Sequence, residues 1–339
     1  MNENERYYRG VMGAIGGTML VFWGLFIADS FLITVVSALT YLFPMSPVAA
    51  EIIYQILYAI GYLLVFMLPA LFFKRFLLRA GLPYQPFEAP FKFPPSFALI
   101  LFAGIAVILS AAYFNASLVS VFQYSQFSSD MLWGEIEYME GYQIVLQLLT
   151  VAVVPGFCEE FLFRGIILPA CRPFGRFRAI LISALLFSLM HQNAEQIFYA
   201  FVAGILLGLV YERTGSLWAC VVLHMLNNAV SVMEGVIYSN LGDDVAASLW
   251  VTLLETVLIL LGVISLAILI CRAFSKRPSL QDGVFEQTLP SADFYEPCPV
   301  SPQRAFSLFW TPTMIAFFVI SGIQILSLVG MAVLYAILL

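Results

Sequence analysis

Gly156-Phe157-Cys158-Glu159-Glu160-Phe161-Leu162-Phe163-Arg164-Gly165 puts two adjacent carboxylates and an arginine at the end of the long apolar run 142–155. An ionisable side chain inside a bilayer costs about 2.5–3.5 kcal/mol on insertion scales, so it is rare there and faces a partner or a wet cavity. A helix through this stretch sets Glu160 and Arg164 on one face at i,i+4, where they can pair. Glu159 lies about 100° further round and is left to point elsewhere. The rest of the chain has to supply what Glu159 meets.

Composition places this stretch in a membrane. The 339 residues are 62% hydrophobic and only 11% charged, with a mean hydropathy of +0.94, whereas soluble domains carry about 25% charged residues. The expected fold is all-α, a polytopic transmembrane helical bundle. A net charge of -6 without a basic cluster leaves no footprint for nucleic acid. Cys158, Cys171, Cys220, Cys271 and Cys298 are scattered without a CxxC pair, so neither a disulfide framework nor a thiolate zinc site is indicated. The apolar run after Arg6 and Arg9 is too long for a signal-peptide core and reads as an uncleaved first span.

Apolar runs of sufficient length give roughly nine spans, at 11–43, 52–73, 96–120, 140–163, 179–193, 195–211, 216–237, 250–271 and 312–338. All 15 basic residues fall on one side of this arrangement, and the other side carries only acidic charge. By the positive-inside rule the N-terminus is cytoplasmic and the C-terminus outside. The chain divides into N-terminal spans with an acidic outer loop (1–139), a central unit (140–237) and C-terminal spans (238–339), with a polar, proline-bearing linker at 275–311. Gly204 and Gly208 read as a place for close helix packing. Asp29, Asp243, Asp244 and Glu255 read as structural or helix-end polar groups.

The two histidines of the chain, His191 and His224, both lie in the central unit. His191 ends the run Phe187-Ser188-Leu189-Met190-His191, and His224 has Asn228 at i+4 on the same helix face. A lone membrane histidine is more often a packed group than a reactive one. Two histidines, an i,i+4 asparagine and a Glu-Glu-x-x-x-Arg on three different spans shift that balance. Along straight helices the depths disagree: His191 stands roughly 18 Å from Ala179 but His224 about 12 Å from Ser216. They meet if the fifth span tilts or if its basic approach dips into the interface.

Together, Glu159-Glu160-x-x-x-Arg164, Phe187-x-x-x-His191 and His224-x-x-x-Asn228, with the lead-in Tyr211 to Trp218, resemble the three motifs of the CPBP family of intramembrane proteases. That family contains the CAAX prenyl endopeptidases and the Abi, or bacteriocin-immunity, proteins. The resemblance covers about residues 140–235 and implies a protease core of four to five helices. It implies that Glu159 and His191 position and deprotonate a water. His224 and Asn228 would donate to the developing oxyanion, and Glu160 and Arg164 would hold the first motif, with Arg164 also open to a substrate carboxylate.

The family is often described as metalloproteases, and Glu159, His191 and His224 are the residues that would bind zinc. There is no His-Glu-x-x-His, however, and three ligands would leave little to act as base. A metal-free glutamate mechanism is therefore the expectation, with zinc as the alternative. The expected substrate is a membrane-associated or lipidated peptide or protein, and the expected setting a bacterial plasma membrane, with the endoplasmic reticulum still open. A non-catalytic family member that binds peptide in an immunity or scaffold role is one competing reading. A proton-coupled transporter, with Glu159, Glu160 and His191 as relay, is the other.

Overall fold

A computed structural model describes residues 1–43, 45–79, 93–121, 139–192, 194–241, 244–275 and 300–338. Ten helices run through them: α1 (Glu3–Leu42), α2 (Pro47–Arg79), α3 (Phe97–Val121), α4 (Gly141–Phe174), α5 (Arg176–Met190), α6 (Ala194–Thr214), α7 (Leu217–Leu241), α8 (Asp244–Ser275), α9 (Pro302–Phe309) and α10 (Pro312–Leu338). There is no strand among the described residues. Backbone groups in hydrocarbon have to be satisfied within the chain, and a helix does this within its own segment.

Seven of these helices are long and apolar enough to cross a membrane, or eight if α9 and α10, bent by 70°, count as one broken span. The protein is an integral membrane helical bundle. The expected span at 179–193 is the one that differs. Its helix, α5, has 15 residues and reaches only about 22 Å, short of the roughly 30 Å hydrocarbon core. The linker expected at 275–311 is also shorter than read, because Pro302–Phe309 is helical and capped by the Ser301 side chain, which accepts from the Arg304 amide. Residues 276–299 of that linker and 122–138 of the acidic loop lie outside the described residues.

Helices α4 to α7 occupy the middle. On one flank α2 packs against α4, α1 against α2, and α10 against α1; on the other, α3 packs against α6, α7 and α8. The outer helices turn large apolar side chains outward, among them Ile27 and Phe31 on α1 and Leu260 and Val263 on α8. In water such a belt would be an aggregation hazard; facing lipid it needs no partner.

Close approach inside the central unit depends on missing side chains. A Cβ on Gly204 of α6 would stand 2.9 Å from the Ala184 backbone of α5, so the two helices meet as the 204–208 spacing implied. A Cβ on Gly156 of α4 would come within 2.7 Å of Met225 on α7, and that contact seats Glu159 beside His224.

Candidate active site

Helix α4 is not a regular α-helix where the carboxylates sit. Two π-helical stretches, Leu148–Val153 and Phe163–Ile167, bracket the α-helical turns Val154–Leu162. Such widened turns recur at functional sites because they re-aim side chains and loosen the backbone ladder. Pro155 has no N–H to return to the carbonyl of Val151 one turn earlier, and that carbonyl accepts from Asn228 Nδ2 at 3.0 Å. The backbone irregularity of one helix is thus met by the amide of another.

Glu160 and Arg164 are both 0% exposed and pair at 2.7 Å, Arg164 Nη1 donating to Glu160 Oε1. The same oxygen takes His224 Nδ1 at 2.9 Å. Arg164 Nη2 donates to the Gly204 carbonyl at 3.0 Å, and its guanidinium lies 4.5 Å from the centre of the Phe187 ring. A buried charge is tolerated when paired and hydrogen-bonded in this way. Arg164 therefore ties α4, α5 and α6 together beneath the site. Phe187 is the hub above it: its ring lies edge-on to His191 at 4.9 Å and to His224 at 5.8 Å, and its carbonyl pairs with His191 Nδ1 at 2.8 Å. The Phe-x-x-x-His spacing places that carbonyl one helical turn below the imidazole. With Nδ1–H donated there, Nε2 is left as the acceptor.

Glu159 is 3% exposed. Its Oε1 accepts from the hydroxyl of Tyr62 on α2. Its Oε2 is buried without a hydrogen-bond partner and faces His224 Nε2 at 3.9 Å. Glu159, His191, His224 and Asn228 all line one cavity of about 320 Å³. The two histidines, whose depths disagree when counted along straight helices, open onto the same space because α5 ends at His191. Glu160 and Arg164 do not line it.

Among the described residues no group of three His, Cys, Asp or Glu side chains is arranged to hold a metal ion, the set Glu159, His191 and His224 included. His224 Nδ1 pairs with Glu160 and His191 Nδ1 with a backbone carbonyl, which leaves Nε2 as the unengaged nitrogen of each ring.

Several lining residues carried no motif signal. Tyr58 and Tyr62 come from α2, Gln196 and Tyr199 from α6, and Asn227 and Ser231 from α7. Asn227 donates to the Asn228 side-chain oxygen at 3.3 Å, which directs the Asn228 amide toward Val151. The one sequence clue to the α2 pair is its i,i+4 spacing, which puts both hydroxyls on one face.

Gln192, immediately after His191, has φ +56°, the only positive-φ residue other than glycine among those described. A non-glycine residue in this region is uncommon. Its side-chain oxygen accepts from Gln324 Nε2 of α10 at 2.9 Å. The turn that carries His191 is thereby tied to a helix outside the central unit.

No curated protein and no solved structure matches the chain. The family model described as type II CAAX prenyl endopeptidase Rce1-like matches residues 141–230, the span of α4 through most of α7 that supplies Glu159, Glu160, Arg164, His191, His224 and Asn228. Over those residues, about a quarter of the chain, the sequence is similar to the Rce1-like CAAX prenyl endopeptidases, which supports the resemblance to the CPBP intramembrane proteases.

Proposed function

We propose that this protein is an intramembrane endopeptidase that cleaves a peptide bond of a membrane-associated or lipidated peptide or protein, using water activated at Glu159 and His191. One observation supports this above the rest: two potential bases and two potential oxyanion donors, from three helices, line a single cavity within the bundle. Peptide hydrolysis needs a base, donors for the tetrahedral oxyanion and exclusion of bulk solvent.

In the proposed sequence the water lies between Glu159 Oε2 and His191 Nε2. Glu159 takes its proton as the oxygen adds to the substrate carbonyl carbon. The carbonyl oxygen becomes an oxyanion and meets His224 and Asn228. In its doubly protonated form His224 donates Nδ1–H to Glu160 and offers Nε2–H to the cavity. The Asn228 amide has two protons, one used on Val151 and one left for the oxyanion. Collapse of the intermediate breaks the C–N bond, and the proton held at Glu159 passes to the departing amine. Glu160, Arg164 and Phe187 keep the two histidines in register. The route uses the chain's own residues, with zinc as the alternative.

We place the N-terminus in the cytoplasm and the C-terminus outside a bacterial plasma membrane, with α5 and α6 paired as a hairpin that enters and leaves on the cytoplasmic side, where Arg172 meets Glu212, so that the short α5 leaves the orientation unchanged. The grouping of basic residues on one side is supported by contacts at one end of the bundle. Arg304 Nε pairs with Glu5 at 2.7 Å, Arg178 Nη1 donates to the Val300 carbonyl at 2.8 Å, and Arg172 Nε pairs with Glu212 at 2.7 Å.

The test is cleavage of a quenched fluorescent peptide library by the detergent-purified protein and by Glu159→Ala, each with and without a zinc chelator. Cleavage that Glu159→Ala loses and the chelator leaves intact is the expected result. Loss with the chelator and recovery with zinc would replace the metal-free route. A folded protein that cleaves nothing would favour a peptide-binding role for the same cavity.

A further inference from the structure

We propose that Tyr62, on α2 and outside the family-matched segment, is a positioning residue of the reaction: its hydroxyl clamps Glu159 Oε1 so that Oε2 alone is presented to the water. The inference rests on the reading of Glu159 as the base.

The geometry carries it in three steps. Tyr62 donates to Glu159 Oε1 and lines the same cavity as Glu159, His191 and His224, so the clamp is applied at the reacting face. The other carboxylate oxygen is buried without a hydrogen-bond partner and points toward His224 Nε2 at 3.9 Å, which distinguishes the two oxygens. Tyr62 is itself fixed, stacked on Phe66 at 4.8 Å with 23° between the ring planes and flanked by Tyr58 at 5.7 Å. Phe66 is 2% exposed and belongs to the α1–α2 core. A terminal carboxylate torsion is broad and roughly two-fold; one strong donor on one oxygen selects a single orientation and removes the need to find it in the transition state. Nothing else among the described hydrogen bonds holds Glu159. A base that must act in one orientation therefore depends on a residue the catalytic motifs do not contain.

Tyr62→Phe removes only the hydroxyl and keeps the stacking on Phe66, so folding is preserved. On a peptide that the wild type cleaves, kcat is expected to fall by roughly 10- to 100-fold, the size of a lost hydrogen bond to a charged group, with KM unchanged. A Tyr62→Phe enzyme with wild-type kcat, or one in which KM rises and kcat is untouched, overturns the clamp. A second readout does not need turnover. Infrared difference spectra between wild type and Tyr62→Phe are expected to show a shifted carboxylate band that vanishes when the same comparison is made on a Glu159→Gln background. No shift, or a shift that persists on that background, also overturns it. Failure of the underlying reading looks different: Glu159→Ala would still cleave, whatever Tyr62→Phe does in the spectrum.

Discussion

Two regions of this molecule place polar groups in a membrane in different ways. In the family-matched segment, 141–230, the charges are concentrated and interlocked: Glu160, Arg164 and His224 share contacts, and Phe187 packs on Arg164, His191 and His224. In the surrounding helices polar groups are sparse and mostly work in pairs, as with Tyr113 donating to Glu255 between α3 and α8, or Trp23 of α1 donating to Ser321 of α10. The first arrangement holds the candidate site groups in register; the second holds helices together. The difference teaches that candidate site and scaffold are largely separable here; the frame reaches the site through the hydrogen bonds of Tyr62 on Glu159 and Gln324 on Gln192 and through Tyr58 and Ile108, which line the cavity.

The comparison is broken or sharpened most strongly at Glu159, the proposed base. Glu159→Gln keeps shape and hydrogen-bonding capacity but cannot take a proton, and it should lower peptide cleavage by about 10²–10⁴-fold while leaving the thermal midpoint in detergent near the wild-type value. Arg164→Met addresses the interlocked charges beneath. Removing one member of a buried pair strands the other, so a loss of about 3–5 kcal/mol in stability is expected, read as an earlier thermal transition and faster proteolysis. If that variant is as stable as wild type, the claim that Arg164 holds α4, α5 and α6 together is wrong.

His224→Ala and Asn228→Ala should each cost about 10²–10³ in kcat. Asn228→Ala carries the added signature of an orphaned Val151 carbonyl, so a modest drop in stability should accompany it. Tyr62→Phe comes next in size and marks the boundary between the regions. The smallest effect is expected at Gln324→Leu on α10. It leaves the Gln192 side chain unpaired in a buried turn, worth about 1–3 kcal/mol, and should weaken turnover by loosening His191, with more loss at higher temperature. An unchanged temperature dependence would assign α10 to the frame alone.

The site groups were legible in the sequence because each sits where it is physically expensive. A carboxylate pair at the end of an apolar run, two histidines within apolar runs and an asparagine one turn from one of them are anomalies that spacing alone exposes. The number of spans was less legible. Hydropathy reads 179–193 as a crossing because α5 is apolar, yet its apolar surface packs on α6, and a helix of 15 residues reaches protein before it reaches the far side. Tyr62 was not legible at all, since a tyrosine in a membrane helix is common and its partner lies 97 positions away.

The sequence by itself determined that the chain lives in a membrane as a helical bundle, and it singled out Glu159, His191, His224 and Asn228, with Glu160 and Arg164 beside them, as the candidate site groups. Both conclusions follow from local quantities, apolar run length and the cost of charge within those runs. Tertiary structure decided which oxygen of Glu159 is held and which is left without a hydrogen bond, which carbonyl receives Asn228, and that two histidines at unequal depths open onto one cavity. Those depend on how helices far apart in the chain cross and where α4 widens into π turns. No local pattern encodes a crossing, because it is set by side chains on both partners at once.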